Sequence, residues 1–231
     1  MIRKVSLFIA CLVVAISAQS VCAQVYYHPT FDVGFKGGVS MSNMQFSPSV
    51  EQKMRQGIMF GASVRYCEEK LFGLMAELKY VQRGWKEDFK ETSFSYDRVL
   101  NYVELPVMTH INFGSQKMRG FVNLGPSVSY MLSNSANANF DYMHPETVEG
   151  FPIDNRHVSQ MALDVKNKID YGIVGGVGVE FRIKKRHCFL LEGRYYFGLG
   201  NIYSNAKKDE FSASRSTSIE VSLGYMFRLK D

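Results

Sequence analysis

The sequence predicts an all-β chain whose strands close into one antiparallel barrel of eight. Three observations predict it. Side chains alternate with a period of two over eight segments, at about 32–43, 56–66, 73–84, 99–113, 119–132, 168–183, 188–199 and 216–229. The segments run about 10 to 16 residues, longer than the five or six usual in a globular strand and enough for a tilted strand to cross a bilayer. The connections then alternate in length. Cys67 to Phe72, Gly114 to Met118 and Lys184 to His187 are short, whereas Met44 to Arg55, Trp85 to Arg98, Ser133 to Asn167 and Gly200 to Arg215 are long.

Taken in order, the strands carry one uncharged file each. The first shows Val33, Phe35, Val39 and Met41, the second Ile58, Phe60, Ala62, Val64 and Tyr66, and the third Leu74, Ala76, Leu78 and Tyr80. The fourth gives Val103, Leu105, Val107, Ile111 and Phe113, and the fifth Val122, Leu124, Val128 and Tyr130. The sixth follows with Ile169, Tyr171, Ile173, Val177, Val179 and Phe181, the seventh with Phe189, Leu191, Tyr195 and Phe197. The eighth sorts Ile219, Val221, Leu223, Tyr225, Phe227 and Leu229 onto one face and Glu220, Gly224 and Arg228 onto the other. Pro106 and Pro126 lie inside strands four and five, where a missing N–H calls for a bulge or a local gap.

The opposite file decides where the apolar one points. It mixes glycine (Gly34, Gly38, Gly61, Gly125, Gly172, Gly176) with charge, namely Lys36, Arg65, Glu77, Lys79, Glu104, Glu180, Arg182, Glu192, Arg194 and Glu220. Glycine is depleted in strands that face water, because it weakens them. A narrow barrel interior has room for small residues and for a few long side chains that pair with one another. The uncharged file therefore faces lipid, and the ten charged residues form a lumen network that plugs the barrel. Aromatics agree, with Tyr66, Phe113, Phe181, Phe189 and Phe227 near one rim and Tyr80, Tyr130, Tyr171 and Phe197 near the other. The fold class is an eight-stranded antiparallel transmembrane β-barrel with short periplasmic turns and long extracellular loops.

The amino terminus fits that destination. Arg3 and Lys4 precede an apolar run from Val5 to Ile16, and Val21-Cys22-Ala23 ends in a small-residue cleavage pattern. Residues 1–23 read as a secretory signal peptide and 24–231 as the outer-membrane barrel domain. The apolar run is too short for a spanning helix of about 20 residues, and Val21 stands where a lipoprotein needs a small residue before Cys22. Removing Arg3 and Lys4 lowers the formal charge from +5 to +3, too little to point to nucleic acid. Cys67 and Cys188 remain, on strands that are not neighbours, and are expected to be free thiols.

Several motifs resemble the PorT-like outer-membrane β-barrel family: Gly34-Phe35-Lys36-Gly37-Gly38, Leu78-Lys79-Tyr80-Val81-Gln82-Arg83-Gly84, and Tyr102-Val103-Glu104-Leu105-Pro106-Val107. Gly172-Ile173-Val174-Gly175-Gly176-Val177-Gly178, Leu191-Glu192-Gly193-Arg194-Tyr195-Tyr196, Gly198-Leu199-Gly200-Asn201-Ile202 and the closing Leu223-Gly224-Tyr225 extend the match over nearly the whole mature chain. The resemblance implies a porin-family small barrel, some of whose members are tied to secretion across the outer membrane. It implies no reaction and no ligand. The chain runs on through Arg228-Leu229-Lys230-Asp231, so barrel-insertion machinery would have to read Phe227 or Tyr225 slightly inside the end.

Catalytic and metal chemistry find little footing. The carboxylates are matched by cations, and the histidines are scattered. His144 and His157, with Asp141, Glu146, Glu149 and Asp154, read as a solvated loop rather than a cation site, and no zinc motif occurs. A barrel enzyme that trims or acylates lipid, with a Ser/His set at the outer rim, is the rival reading, and a small diffusion pore the other. The expectation is a monomeric, non-enzymatic barrel without cofactor, in contact with outer-membrane lipid. Its working surface is the loops, above all Ser133 to Asn167, where Phe140, Tyr142, Met143, Phe151 and Ile153 either meet a protein partner or pack on the rim.

Overall fold

The structure, a computed structural model, describes residues 29–69, 71–90, 92–115, 117–153, 156–184, 186–204 and 210–230. The signal segment 1–23, His28 and Asp154 lie outside the described residues. Eight long strands follow one another: β1 Thr30–Ser47, β2 Arg55–Cys67, β3 Phe72–Glu87, β4 Tyr96–Gly114, β5 Met118–Ala138, β6 Ile169–Ile183, β7 His187–Gly198 and β8 Ala213–Lys230. Each pairs antiparallel with its sequence neighbours, and β8 returns to β1 from Phe31↔Lys230 to Ser47↔Ala213, which closes the ring. Closure leaves no membrane-level edge with unsatisfied backbone groups. A two-residue strand, Gln52–Lys53, adds a short pairing to the top of β3.

The two files separate as alternation demands. Phe35, Leu78, Leu124, Val177 and Leu223 are exposed on the outer wall, while Lys36, Arg65, Glu77, Lys79 and Glu104 are buried within. An apolar outside around a charged inside is the inverse of a soluble barrel. Cys67 and Cys188 face the interior as free, buried thiols on β2 and β7.

Both internal prolines sit in gaps of the ladder. Pairing between β3 and β4 skips from Ala76↔Val107 to Lys79↔Glu104, around Pro106. Between β4 and β5 it skips from Pro106↔Ser127 to Thr109↔Leu124, around Pro126. The register resumes unchanged on either side. The one shift on the β4–β5 ladder lies instead at Asn101/Tyr102, above the prolines.

The strands outrun their predicted ends on the extracellular side. The polar stretch at the start of the third long loop is strand to Ala138, paired with β4 as far as Tyr96↔Ala138. Side chains hold that extension: Asn101 Nδ2 donates to Ser133 Oγ at 2.9 Å and Arg98 Nη2 to Asn134 Oδ1 at 2.9 Å. Small polar residues without loop signals were enough to continue a template already laid down by β4.

The outer wall makes a prediction. Leu223 is 69% exposed at mid-strand, opposite Leu191 and Gly37. Leu223→Arg should cost about 2–4 kcal/mol in reversible urea unfolding of the barrel in lipid vesicles; a loss below about 0.5 kcal/mol, the ordinary range for a surface position, would place that file elsewhere.

Candidate functional site

Alternation turns every second residue of eight strands into one tube, and the side chains there assemble into three tiers of charge. At the periplasmic end Arg65 donates through Nη2 to Asp32 at 2.6 Å and through Nη1 to Glu180. Arg228 reaches Asp32 at 3.0 Å and Arg182 reaches Glu180 at 2.6 Å. His110, buried in this tier, lies 3.4 Å from Arg65 and shares a 2.7 Å hydrogen bond with Asn123.

The middle tier is a four-membered ring. Lys36 lies 2.6 Å from Glu77 and 2.9 Å from Glu192, while Arg194 grips Glu77 with both Nη atoms at 2.7 Å and Glu192 with Nε at 2.7 Å. Asn123 Nδ2 adds a 2.6 Å bond to Glu192. Gly176 makes room for this: a Cβ there would come within 2.6 Å of Arg194 Cγ. In the upper tier Lys79 bridges Glu220 at 2.5 Å and Glu104 at 3.3 Å, and Arg83 pairs with Glu104 while its guanidinium lies 3.7 Å over the Tyr196 ring. Asp170 stands 3.8 Å from Arg83.

All ten residues singled out in the sequence thus face the interior and make ion pairs there. Four more join them. Arg228, already on the inward face of the eighth strand, is joined by Asp32, Arg83 and Asp170, which share the inward parity but stand near the strand ends, where predicted boundaries fade. With them the three tiers pair seven carboxylates (Asp32, Glu77, Glu104, Asp170, Glu180, Glu192, Glu220) with seven cations (Lys36, Arg65, Lys79, Arg83, Arg182, Arg194, Arg228), and Arg119, opposite Glu180 on the same face, adds a cation that donates to Asn112 at 3.1 Å. Charges withdrawn from water are tolerated only when matched and hydrogen-bonded. The void left among Lys36, Ser63, Met75, Glu192 and Met226 is about 10 Å³, at the lower limit for one water.

Above the charges the extracellular mouth is filled by an apolar cap. Met44, Trp85, Tyr102 and Met131 from the strand tops pack with Phe151 and Met161 of the third loop and Ile202, Tyr203 and Phe211 of the fourth. Phe140 and Tyr142 lean on this cluster, leaving Met143 and Ile153 exposed among the five loop residues noted earlier. Rim packing therefore accounts for most of that apolar content. Glu87, well above the Tyr80 level and outside the span, latches the loop. It accepts from Trp85 Nε1 at 3.1 Å, Gln160 Nε2 at 3.0 Å and Arg156 Nη2 at 3.1 Å. Arg156 also covers the Phe89 ring at 4.2 Å, and Tyr203 donates to the Gln160 carbonyl at 2.7 Å. One glycine is obligatory beside the latch: Gly84 has φ +142° and its Cβ position abuts the Arg98 carbonyl.

Among the described residues no group of three His, Cys, Asp or Glu is placed to hold a metal ion. His144 lies 3.4 Å from Asp141 on an exposed turn, and His187 bonds Tyr225 at 2.7 Å near the periplasmic rim.

Residues 18–204 match a family model described as outer membrane protein beta-barrel domain. Among solved structures, OprG of Pseudomonas aeruginosa is similar at 8% identity over 88% of this chain and 98% of that one, with a TM-score of 0.52. Neisserial surface protein A shares 14% identity over 87% and 99% of the two chains (TM-score 0.46), and E. coli outer membrane protein W 16% over 88% and 100% (TM-score 0.42). No curated protein matches the sequence. These likenesses are to the fold.

Two predictions arise from the tiers and the latch. Glu77→Gln strips Lys36 and Arg194 of a shared partner and should cost about 3–5 kcal/mol in urea unfolding, with part of the loss recovered by adding Lys36→Met; no recovery in the double variant would mean the pair does not act as a unit. Burial pushes the Glu87 carboxyl above its ordinary value of 4.5, against the pull of Gln160 and Arg156. The protonated form then suits the closed cap, so this contribution is full below pH 4.5 and is lost as pH rises through the raised value. Limited proteolysis of the 139–168 loop on folded barrels should accelerate over that window, and Glu87→Gln should flatten the rise; an equal slope in the variant would absolve Glu87.

Proposed function

The chain belongs to the family of outer membrane protein beta-barrel domains, and from that premise we propose that it is a monomeric, non-enzymatic envelope scaffold or interaction module that works through its extracellular face. The observation that carries this reading is the double seal: tiers of paired charge across the lumen, with a void of about 10 Å³ beside Lys36 and Glu192, under a mouth packed with aromatic and aliphatic side chains. A sealed tube has only its outside to offer. The cap is ordered by the Glu87 latch and by Tyr96 Oη donating to the Met161 carbonyl at 3.0 Å, so the extracellular loops present a defined shape to a protein partner. The PorT-like motifs direct the same module towards secretion across the outer membrane, with residues 1–23 as its export signal and Phe227 or Tyr225 as the terminal aromatic read by the insertion machinery.

A lipid-modifying enzyme would need a base and a nucleophile in contact at the outer rim. Among the described residues the histidine rings meet Asp141, Asn123, Arg65 and Tyr225, and no serine hydroxyl. A diffusion pore would need a continuous water path, and the ion pairs crossing the lumen in three tiers favour the sealed reading over it.

The purified barrel should run faster unboiled than boiled on gels and give no steady conductance in planar bilayers. Solute-permeable channels from pure protein would overturn the sealed-lumen reading, and an altered lipid A mass spectrum in a deletion strain, restored by the intact gene, would overturn the non-enzymatic one.

A further inference from the structure

A cleft of about 560 Å³ opens on the outer wall where the β5–β6 ladder ends, at the level of the extracellular aromatics. Its lower side is apolar. Ile169 and Leu199 line it, and beneath them the exposed Val128 and Ile173 continue the lipid-facing wall without a break. Its upper side is basic, formed by Lys166 and Lys168 with Asn167 between them. Tyr130 and Tyr171, each about half exposed, supply phenol hydroxyls between the two zones.

Two features separate this cleft from an ordinary surface. On the same face Lys53 is paired with Asp88 at 2.7 Å and Lys90 with Glu51 at 3.0 Å, while the exposed Lys86 stands without an ion pair among the described residues but away from the apolar wall. Neither Lys166 nor Lys168 has a carboxylate within ion-pairing distance among the described residues. The backbone beneath them is also fixed. Asn167 N–H donates to the Ile202 carbonyl at 3.2 Å, Asn167 Nδ2 to the Asn201 carbonyl at 2.7 Å, and Met131 N–H to the Lys168 carbonyl at 2.7 Å. A second cleft of similar size, near Lys53 and Lys86, includes Glu87 and Asp97 and stands over the cap, away from the apolar wall.

We infer that this cleft binds the phosphate-bearing headgroup of an outer-leaflet lipid, with Lys166 and Lys168 on the phosphate and the acyl chains running down the wall past Ile169 and Ile173. Two unneutralised ammonium groups complement an anion, and lysine binds phosphate as a point charge. Tyrosine prefers the boundary between apolar chain and polar headgroup. The volume lies within the range of small-ligand sites. A soluble anion would gain nothing from the continuous apolar floor, which favours the lipid. The inference stands apart from the scaffold reading, since a barrel of any function could carry such a site.

The test uses the full mature chain refolded in maltoside micelles and titrated with diphosphorylated lipid A, with the same lipid after removal of both phosphates, and with inorganic phosphate, all followed by native mass spectrometry. One phosphorylated lipid should be retained, with the dephosphorylated lipid and free phosphate much weaker. Lys166→Ala/Lys168→Ala should lower that affinity roughly 30-fold, about fivefold for each charge near a membrane surface. Lys166→Arg/Lys168→Arg should keep it, and Lys53→Ala/Lys86→Ala should leave it unchanged. The gel-shift of each variant reports that the barrel is intact, and Lys166→Gln/Lys168→Gln gives an independent neutral variant. Equal retention of the dephosphorylated lipid, equal binding of free phosphate, or unaltered affinity in both neutral variants would each overturn the proposal.

Discussion

Closure of the sheet is the constraint on which the rest depends. In hydrocarbon every backbone N–H and C=O must be satisfied within the protein, and a ring of antiparallel strands does this only if β8 meets β1. Once it does, parity is no longer a local choice. Each side chain is assigned to lipid or to a tube too narrow for bulk water, and a residue slip on one strand would invert its whole set. Charge assigned inward must then be matched by charge, which is why each carboxylate of the three tiers stands against a cation.

Large and small residues share that tube by complement. Gly176 leaves the space that Arg194 occupies, and Gly178 faces Phe121 at a distance no Cβ would tolerate. Gly176 and Gly178, weak points in isolated strands, are sockets for long side chains, while Gly38 and Gly125 let neighbouring backbone approach. The filling changes where the strands rise above the membrane: there Trp85, Met161, Tyr203 and Phe211 dominate, with ions kept to the Glu87–Arg156 latch and the Arg55–Asp97 pair.

Much of this was legible in the sequence because period-two alternation is a purely local signal. The outward file from Phe35 to Leu229 and the inward placement of ten charged residues follow from counting along each strand. Arg83 and Asp170 escaped because they stand at the predicted rim, where the alternation has too few residues left to vote. Ser133 to Ala138 escaped for another reason: alanine, serine and asparagine carry no apolar period, and their strand exists because β4 offers a ladder to join. The cap was hidden further still. Phe46 meets Trp85 and Phe211 from segments widely separated in sequence, and no local pattern reports such a meeting.

The ion pairs also have a consequence for how the barrel comes together. Strands β1 to β4 contribute four lumen cations (Lys36, Arg65, Lys79, Arg83) against three carboxylates, and β6 to β8 contribute four carboxylates (Asp170, Glu180, Glu192, Glu220) against three cations. Neither half is neutral alone. Lys36 and Asp32, paired with Glu77 and Arg65 among the early strands, gain Glu192 and Arg228 only from the late ones, contacts spanning 156 and 196 residues of chain. A hairpin-by-hairpin intermediate therefore keeps its inner charges hydrated until the terminal strand arrives, and dehydration of the lumen coincides with the sealing of the β1–β8 seam.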